Sequence, residues 1–88
     1  MYKCVYYKNE LDYHAKEETK LIDIHKLTSN TIEEISNKLK EMDIEAIKYY
    51  GFLATEKGQR IPKSDFVFFK IYTNGKMNGI LEVKDESK

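Results

Sequence analysis

The strongest structural signal in this sequence is a β-hairpin centred on the dipeptide Asn74-Gly75. Residues 66–72 and 77–84 flank it; the first run is rich in aromatic and β-branched side chains, and the second contains Ile80, Leu81 and Val83. An Asn-Gly pair between two such runs favours a tight turn, because both residues adopt positive φ at little cost. The C-terminal third therefore predicts two antiparallel strands.

The loop length of this hairpin decides which side chains share a face. A two-residue loop would pair Phe69 with Ile80 and leave both faces mixed, whereas a three-residue loop over residues 73–75 separates apolar from polar positions. A one-residue slip moves every side chain to the other face, so the separated pattern should prevail. We predict the three-residue loop, with an inner face of Val67, Phe69, Ile71, Met77, Gly79, Leu81 and Val83.

One helix is marked in the middle of the chain. Asn30 with Glu33, or Thr31 with Glu34, has the spacing of a capping box, in which the two side chains satisfy free backbone N–H groups. An apolar stripe follows at helical spacing, formed by Ile32, Ile35, Leu39 and Met42. We predict a helix over about residues 31–42, with the first three stripe residues packed against the inner face of the hairpin.

The remaining segments are predicted to complete the sheet. Residues 2–8, 11–15 and 21–25 alternate as strands do, and residues 44–50 fit either a helical continuation to Gly51 or a separate strand or short helix after Asp43. The expected fold is a single α+β domain over residues 1–88. It has a mostly antiparallel sheet of four to five strands and one main helix (about residues 31–42) on one face.

Charge and cysteine content narrow the classes of function. Fifteen basic and fifteen acidic residues give a formal net charge of zero, whereas nucleic-acid binders usually carry a basic excess. Arg60 is the only arginine, so sequence-specific DNA binding is not expected. Cys4 has no disulfide partner and no apolar run is long enough to span a membrane. We expect a cytoplasmic protein that does not enter a membrane.

Candidate metal ligands and nucleophiles are few. The only histidines are His14 and His25, and on a strand Asp23 would share a face with His25, with Cys4 as a further candidate. A zinc site needs three or four ligands at recurrent spacing, and a Cys-His pair needs an oxyanion hole. We expect no metal, no cofactor and no catalytic residue, and we interpret Cys4 as a small core residue.

A further pattern lies in the hairpin itself. Pro62-Lys63-Ser64-Asp65 opens one strand and Glu82-Val83-Lys84 closes the next, which resembles the PD-(D/E)xK nuclease superfamily over about 23 residues. The resemblance implies Asp65 and Glu82 as Mg²⁺ ligands and Lys84 as an aid to the attacking water. In this chain two residues separate Pro62 from Asp65, and the family's next helix and strand do not follow Lys84. We therefore expect Glu82 and Lys84 to form the polar face of an edge strand.

The aromatic residues carry the functional hypothesis. Seven Tyr and four Phe in 88 residues exceed what one small core encloses. In the predicted register Phe66, Phe68, Tyr72 and Ile80 lie on the outer face of the hairpin, and exposed aromatics of this kind are typical of protein-binding surfaces. We predict that these four residues form an interaction surface. The alternative is that a second layer, such as residues 44–53, covers them.

These observations predict a small non-enzymatic binding protein. We expect a regulator, adaptor or inhibitor, from a bacterium, a phage or a mobile element, that binds a protein partner or a second copy of itself. One alternative is an RNA or single-stranded nucleic-acid binding module that stacks bases on Phe66, Phe68 and Tyr72. The other is a minimal metal-dependent nuclease built on the pattern above.

Overall fold

A computed structural model describes residues 1–21 and 23–86, with all of their side chains except those of Ser64 and Asp65. In chain order the elements are β1 (Tyr2–Tyr7), α1 (Glu10–Ala15), a 3₁₀ helix (Ile24–Leu27), α2 (Ile32–Glu41), β2 (Glu45–Ala54), β3 (Arg60–Thr73) and β4 (Lys76–Asp85). Within these residues the four strands form one antiparallel sheet in the order β1-β4-β3-β2. The predicted α+β fold is confirmed.

The hairpin is present, but its loop has two residues rather than three. Asn74 has φ 53° and Gly75 has φ 80°, as a type I′ turn requires, and Thr73 pairs with Lys76. Asn78 is then an extra residue, because Tyr72 pairs with Met77 and Ile71 with Gly79. This bulge restores the separation of faces that a two-residue loop alone would lose. The predicted inner face therefore forms, except for Met77, which lies before the bulge and is exposed.

Hydrogen bonds hold the bulge in place. The side-chain Nδ2 of Asn78 donates to Thr73 Oγ1 (3.1 Å), and the backbone carbonyl oxygen of Asn78 accepts from the hydroxyl of Tyr6 (2.6 Å). The Tyr6 ring lies against Gly79, where any Cβ atom would collide with it. The bulge, the glycine and the tyrosine therefore form one local arrangement that fixes the register of β4.

Helix α2 covers the inner face of the sheet. Thr31 is its N-cap, with Oγ1 accepting from the backbone N–H of Glu34 (3.1 Å), so the second of the two predicted caps is correct. The helix ends at Met42 as its C-cap, and Asp43 turns the chain with φ 57°. Residues 44–50 thus do not extend the helix; β2 begins at Glu45.

The core lies between α2, the 3₁₀ helix and the sheet. Its buried members are Cys4, Leu27, Ile35, Leu39, Val67, Phe69, Leu81 and Val83. The predicted packing of the hairpin against Ile35 and Leu39 is confirmed, and Ile32 and Ile71 are partly buried against the same cluster.

Two predicted strands are wrong. Residues 11–15 belong to α1, which begins because Asn9 Oδ1 accepts from the backbone N–H of Asp12 (2.8 Å). In the segment 21–25, Ile24 starts the 3₁₀ helix, while Ile22 lies outside the described residues. Both patterns span only five residues, too few to fix a strand, and in the first the capping side chain of Asn9 favours a helix.

We expect Phe69→Ala to lower the free energy of unfolding by about 3–5 kcal/mol, because it leaves a cavity among fully buried neighbours. The matched control is Phe66→Ala on the same strand, where the ring is half-exposed and the expected loss is about 1 kcal/mol. Urea unfolding followed by circular dichroism measures both. Equal losses for the two variants would contradict the assignment of faces.

Candidate functional site

Helix α1 covers the outer face of the sheet with an aromatic cluster. The Tyr13 ring meets Phe68 edge-to-face at 5.4 Å and Tyr7 at 5.3 Å, while Tyr49 stacks on Phe68 at 5.2 Å. These spacings are those of stabilising aromatic pairs. We call Tyr7, Tyr13, Tyr49 and Phe68 the aromatic cluster.

The predicted exposure of the outer face is wrong for two of the four residues. Phe68 is 6% exposed and Ile80 is 2% exposed. The layer that covers them is α1, not residues 44–53, most of which form β2 within the sheet itself. Phe66 remains 41% exposed, and Tyr72 is half-buried near the Asn74-Gly75 turn. The four residues therefore do not form one exposed surface. Whether Phe66 and Tyr72 bind a partner stays a prediction.

The sequence contains a signal for this cover that the strand pattern obscured. Asn9 precedes Glu10 and Asp12, and a capping residue followed by acidic residues marks the start of a helix. Lys16 ends the helix in the left-handed conformation at φ 59°. A helix starting at residue 10 places Tyr13 one turn from its start, against Tyr7 and Phe68.

The aromatic cluster keeps its hydroxyl groups protonated at neutral pH. Burial raises the pKa of Tyr49 to about 12, with the nearby charges of Tyr13, Glu10 and Glu82 adding to the effect. Burial also raises the pKa of Tyr7 and Tyr13, again with a contribution from Glu82. The cluster forms a second small core on the outer face of the sheet, with Tyr7 and Phe68 buried.

Glu82 and Lys84 of the nuclease-like pattern lie on β4, a central strand. β4 sits between β1 and β3, so the predicted edge strand is wrong. The side chain of Glu82 is 16% exposed, and its Oε1 lies 3.7 Å from Lys84 Nζ without a hydrogen-bond donor among the described residues. The side chain of Asp65 is not among those that the structure describes. Glu82 thus faces its own strand neighbour Lys84 and the tyrosines of the aromatic cluster.

The sheet separates two of the candidate metal ligands, Cys4 and His14. Cys4 is buried in the core under α2, where burial raises its pKa to about 12, and His14 lies exposed on α1 over the opposite face. Asp23 and His25 do not lie on a strand. Within residues 1–21 and 23–86, no group of three or more His, Cys, Asp or Glu side chains could hold a metal ion.

Exposed apolar side chains concentrate on β2 and β3 instead. Of the eleven exposed large hydrophobic residues that the description contains, six lie on these two strands: Ile47, Tyr50, Phe52, Leu53, Ile61 and Phe66. Single exposed hydrophobics are normal, but a concentration on one hairpin is typical of an interaction surface.

The β2–β3 hairpin extends beyond the rest of the sheet at the end where residues 55–59 connect its two strands. β4 pairs with β3 from Val67 to Thr73, whereas residues 60–62 of β3 pair with residues 52–54 of β2 alone. We call these two paired segments the distal ribbon. Leu53 and Ile61 form a cross-strand pair in it and are 47% and 50% exposed, and Arg60 lies over the ring of Phe52 at 4.6 Å. Both sides of the ribbon thus carry apolar side chains with no covering layer in the described residues.

Gly51 joins the distal ribbon to the body of the sheet. A Cβ atom there would lie 2.9 Å from Phe66 Cβ and 2.9 Å from Phe68 Cε2. The pairing register also shifts at this point, between Tyr50 and Phe52. The absence of a side chain at Gly51 lets both phenylalanines approach the β2 backbone where the strand changes register.

The two edges of the sheet differ. Along β1, the backbone N–H of Tyr2 donates to Ser29 O (2.7 Å), that of Ser29 donates to Tyr2 O (3.0 Å), and that of Thr19 donates to Tyr6 O (2.8 Å). The chain thus pairs with both ends of its own β1 edge. Along β2, no backbone group of the described residues pairs with the outer side of the strand. A ten-residue strand with an open edge is a template for adding another strand.

Comparison with known proteins identifies no relative: no protein-family model, no curated protein and no solved structure matches this chain. Among the described residues, no helix combines the length and the apolar character needed to cross a membrane.

We expect the double change Phe68→Thr and Ile80→Thr to destabilise the fold by more than about 4 kcal/mol, because both side chains are buried beneath α1. Such a loss is comparable with the whole stability of a domain of this size. Thermal unfolding measures it. A variant that melts within a degree or two of the parent would show that α1 does not cover this face in solution.

Alkaline pH should destabilise the protein through Tyr49. Its folded pKa lies above its ordinary value of 10.0, so its stabilising contribution is complete below pH 10 and is lost as pH rises towards about 12. Tyr49→Phe cannot ionise and should lose less melting temperature between about pH 9 and about pH 11.5. Tyr50→Phe, an exposed position on the same strand, serves as the control. The same alkaline loss in all three proteins would contradict the burial of Tyr49.

Proposed function

We propose that this protein is a non-enzymatic binding domain that adds an extended segment of a partner protein to the open edge of β2. The observation that carries the proposal is the difference between the two sheet edges: within the described residues, backbone groups of residues 19 and 29 pair with the two ends of the β1 edge, and none pairs with the β2 edge. Proteins normally protect such an edge with charge, proline or a covering segment. β2 contains no proline, and its charged residues are Glu45 and Lys48, both in its first half.

The side chains of the distal ribbon give this binding mode its apolar contacts. In strand addition, backbone hydrogen bonds supply affinity and alternate side chains supply specificity. Phe52, Leu53 and Ile61 lie next to the loop that connects β2 and β3, where an added strand would bury them. Aromatic and aliphatic anchors of this kind commonly dominate the energy of protein interfaces.

The proposed class is that of small regulators, adaptors or inhibitors, acting in the cytoplasm of a bacterium or on behalf of a phage or mobile element. The buried, unpaired thiol of Cys4 suits a reducing compartment. The zero net charge supports a protein rather than a nucleic-acid partner. Phe68, one of the three residues proposed to stack on RNA bases, is buried and therefore not accessible to a base.

The experiment compares three tagged proteins used for affinity capture from the native host. We expect Leu53→Thr with Ile61→Thr to lose the captured partner, because both apolar anchors of the ribbon are removed, while folding stays intact. The control is Leu11→Thr, which removes an even more exposed apolar side chain from α1, on another part of the surface. Mass spectrometry identifies what each protein retains.

Salt concentration and self-association separate the remaining outcomes. Retention of the partner at high salt is expected for apolar contacts, whereas phosphate contacts weaken steeply. Capture of untagged copies of the same chain would identify the partner as a second copy. Equal capture by the parent and the ribbon variant would contradict the proposed surface.

A further inference from the structure

A groove lies on the inner side of the sheet, at the opposite end of β2 from the distal ribbon. It is bounded by the 3₁₀ helix, the C-terminal end of α2 and the end of the sheet at the Asn74-Gly75 turn, and its volume is about 420 Å³. Small-molecule sites in proteins commonly measure about 300–1,000 Å³ and are lined mainly by apolar side chains. The groove therefore has the size of a ligand site.

The interior of the groove is apolar. Its floor and walls include Ile24, Leu27, Leu39, Ile44, Ile71 and Leu81. Leu21 and Met42 also line it and remain 44% and 41% exposed, so apolar surface continues out to solvent. An apolar molecular body entering the groove would remove this surface from water, which is favourable.

One wall of the groove is held in a fixed orientation. Tyr6 lines the groove, its hydroxyl donates to Asn78 O (2.6 Å), and its ring lies against Gly79. The same contacts fix the β4 bulge, so the position of this ring is set by the sheet. The groove does not depend on a free side chain swinging aside to open.

All the charged groups that line the groove are acidic. Asp23, Asp43 and Glu45 line it, and among the described residues of the lining there is no Lys, Arg or His. Asp23 is neutralised by Lys26 at 3.4 Å, whereas Asp43 and Glu45 have no ion-pair partner among the described residues. Helix α2 ends beside them at Met42, and the C-terminal end of a helix carries partial negative charge. The end of the groove near the Asn74-Gly75 turn, where Asp43 and Glu45 lie, therefore attracts a cation.

We propose that this groove binds a small cationic amphiphile, with its apolar body against Leu39, Ile71 and Leu81 and its ammonium group beside Asp43 and Glu45. The inference does not depend on the proposed protein-binding function: of the groove residues it uses, only Glu45 belongs to β2, at the opposite end of that strand from the distal ribbon. The paired apolar and anionic features specify both halves of the ligand: an apolar group alone leaves the carboxylates unused, and a bare cation leaves the apolar floor in water.

The test uses three probes that share one apolar body: 4-phenylbutylamine, 4-phenylbutanol and 4-phenylbutyrate. Each is titrated into the ¹⁵N-labelled protein at neutral pH and low salt, and amide chemical shifts are followed. We expect the amine to shift amides that line the groove, with a dissociation constant on the order of 1 mM for so small a ligand. The carboxylate should bind roughly tenfold more weakly, and the alcohol should lie between them.

A matched pair of double variants separates local charge from net charge. Asp43→Asn with Glu45→Gln should remove the preference for the amine and leave alcohol binding unchanged; Asn tolerates the positive φ of residue 43. Glu33→Gln with Glu56→Gln changes the net charge equally, elsewhere on the molecule, and should keep the preference. Equal binding of amine and carboxylate to the parent protein would overturn the proposal. Shifts confined to other regions, or saturation by a Leu-Lys peptide but not by the amine, would also overturn it.

Discussion

The fold depends on the pairing of β3 with β4 beneath α2. Phe69 and Leu81 pair across these strands and pack on Ile35 and Leu39, and all four side chains are essentially removed from water. Burial of this size commonly contributes several kcal/mol to a domain whose net stability is of order ten. The remaining features follow from keeping this register: the Asn78 bulge, the Tyr6 ring on Gly79, and the α2 stripe facing the strand pair.

Helix α1 covers the outer face of the β3–β4 pair, so the middle of the sheet is buried while the distal ribbon is exposed. Near Phe68 and Ile80 the sheet is buried on both sides, by α2 within and by α1 with its aromatic cluster outside. Beyond Gly51, β2 and β3 continue without β4 as the distal ribbon, which carries half-exposed apolar side chains. Two-stranded ribbons are marginal by themselves in water, so local stability should fall from the centre of the sheet towards the ribbon. Regions of low local stability commonly serve as binding segments.

Much of this fold was predictable from the sequence, because its strongest signals are long or chemically specific. The Asn74-Gly75 turn and the Thr31–Glu34 cap are chemically specific, and the apolar stripe runs along the whole of α2. The bulge was not predictable: the apolar pattern indicates which residues share a face, but a three-residue loop and a two-residue loop with a bulge at Asn78 give nearly the same faces. Only the bonds from Asn78 and to it distinguish them.

The candidate site was harder to predict, because exposure depends on which segment covers which face. Helix α1 has only six residues, and their alternating pattern also fits a strand. Without this helix nothing covers Phe68 and Ile80, so both were expected on the surface. The open edge of β2 is a property of strand order, which pairwise patterns along the chain do not encode. The groove likewise joins residues 6 to 81 and exists only once the 3₁₀ helix, α2 and the sheet are assembled.

The described residues bury both faces at the middle of the sheet and leave the β2 edge and the distal ribbon open. Native-state amide hydrogen exchange of the isolated protein, measured residue by residue at concentrations that exclude self-association, distinguishes these regions. We expect slow exchange at the β3–β4 pair around Phe69 and Leu81, and fast exchange in residues 52–54 and 60–62. Protection of the ribbon amides equal to that of the central pair, in the isolated protein, would show that the ribbon is not open.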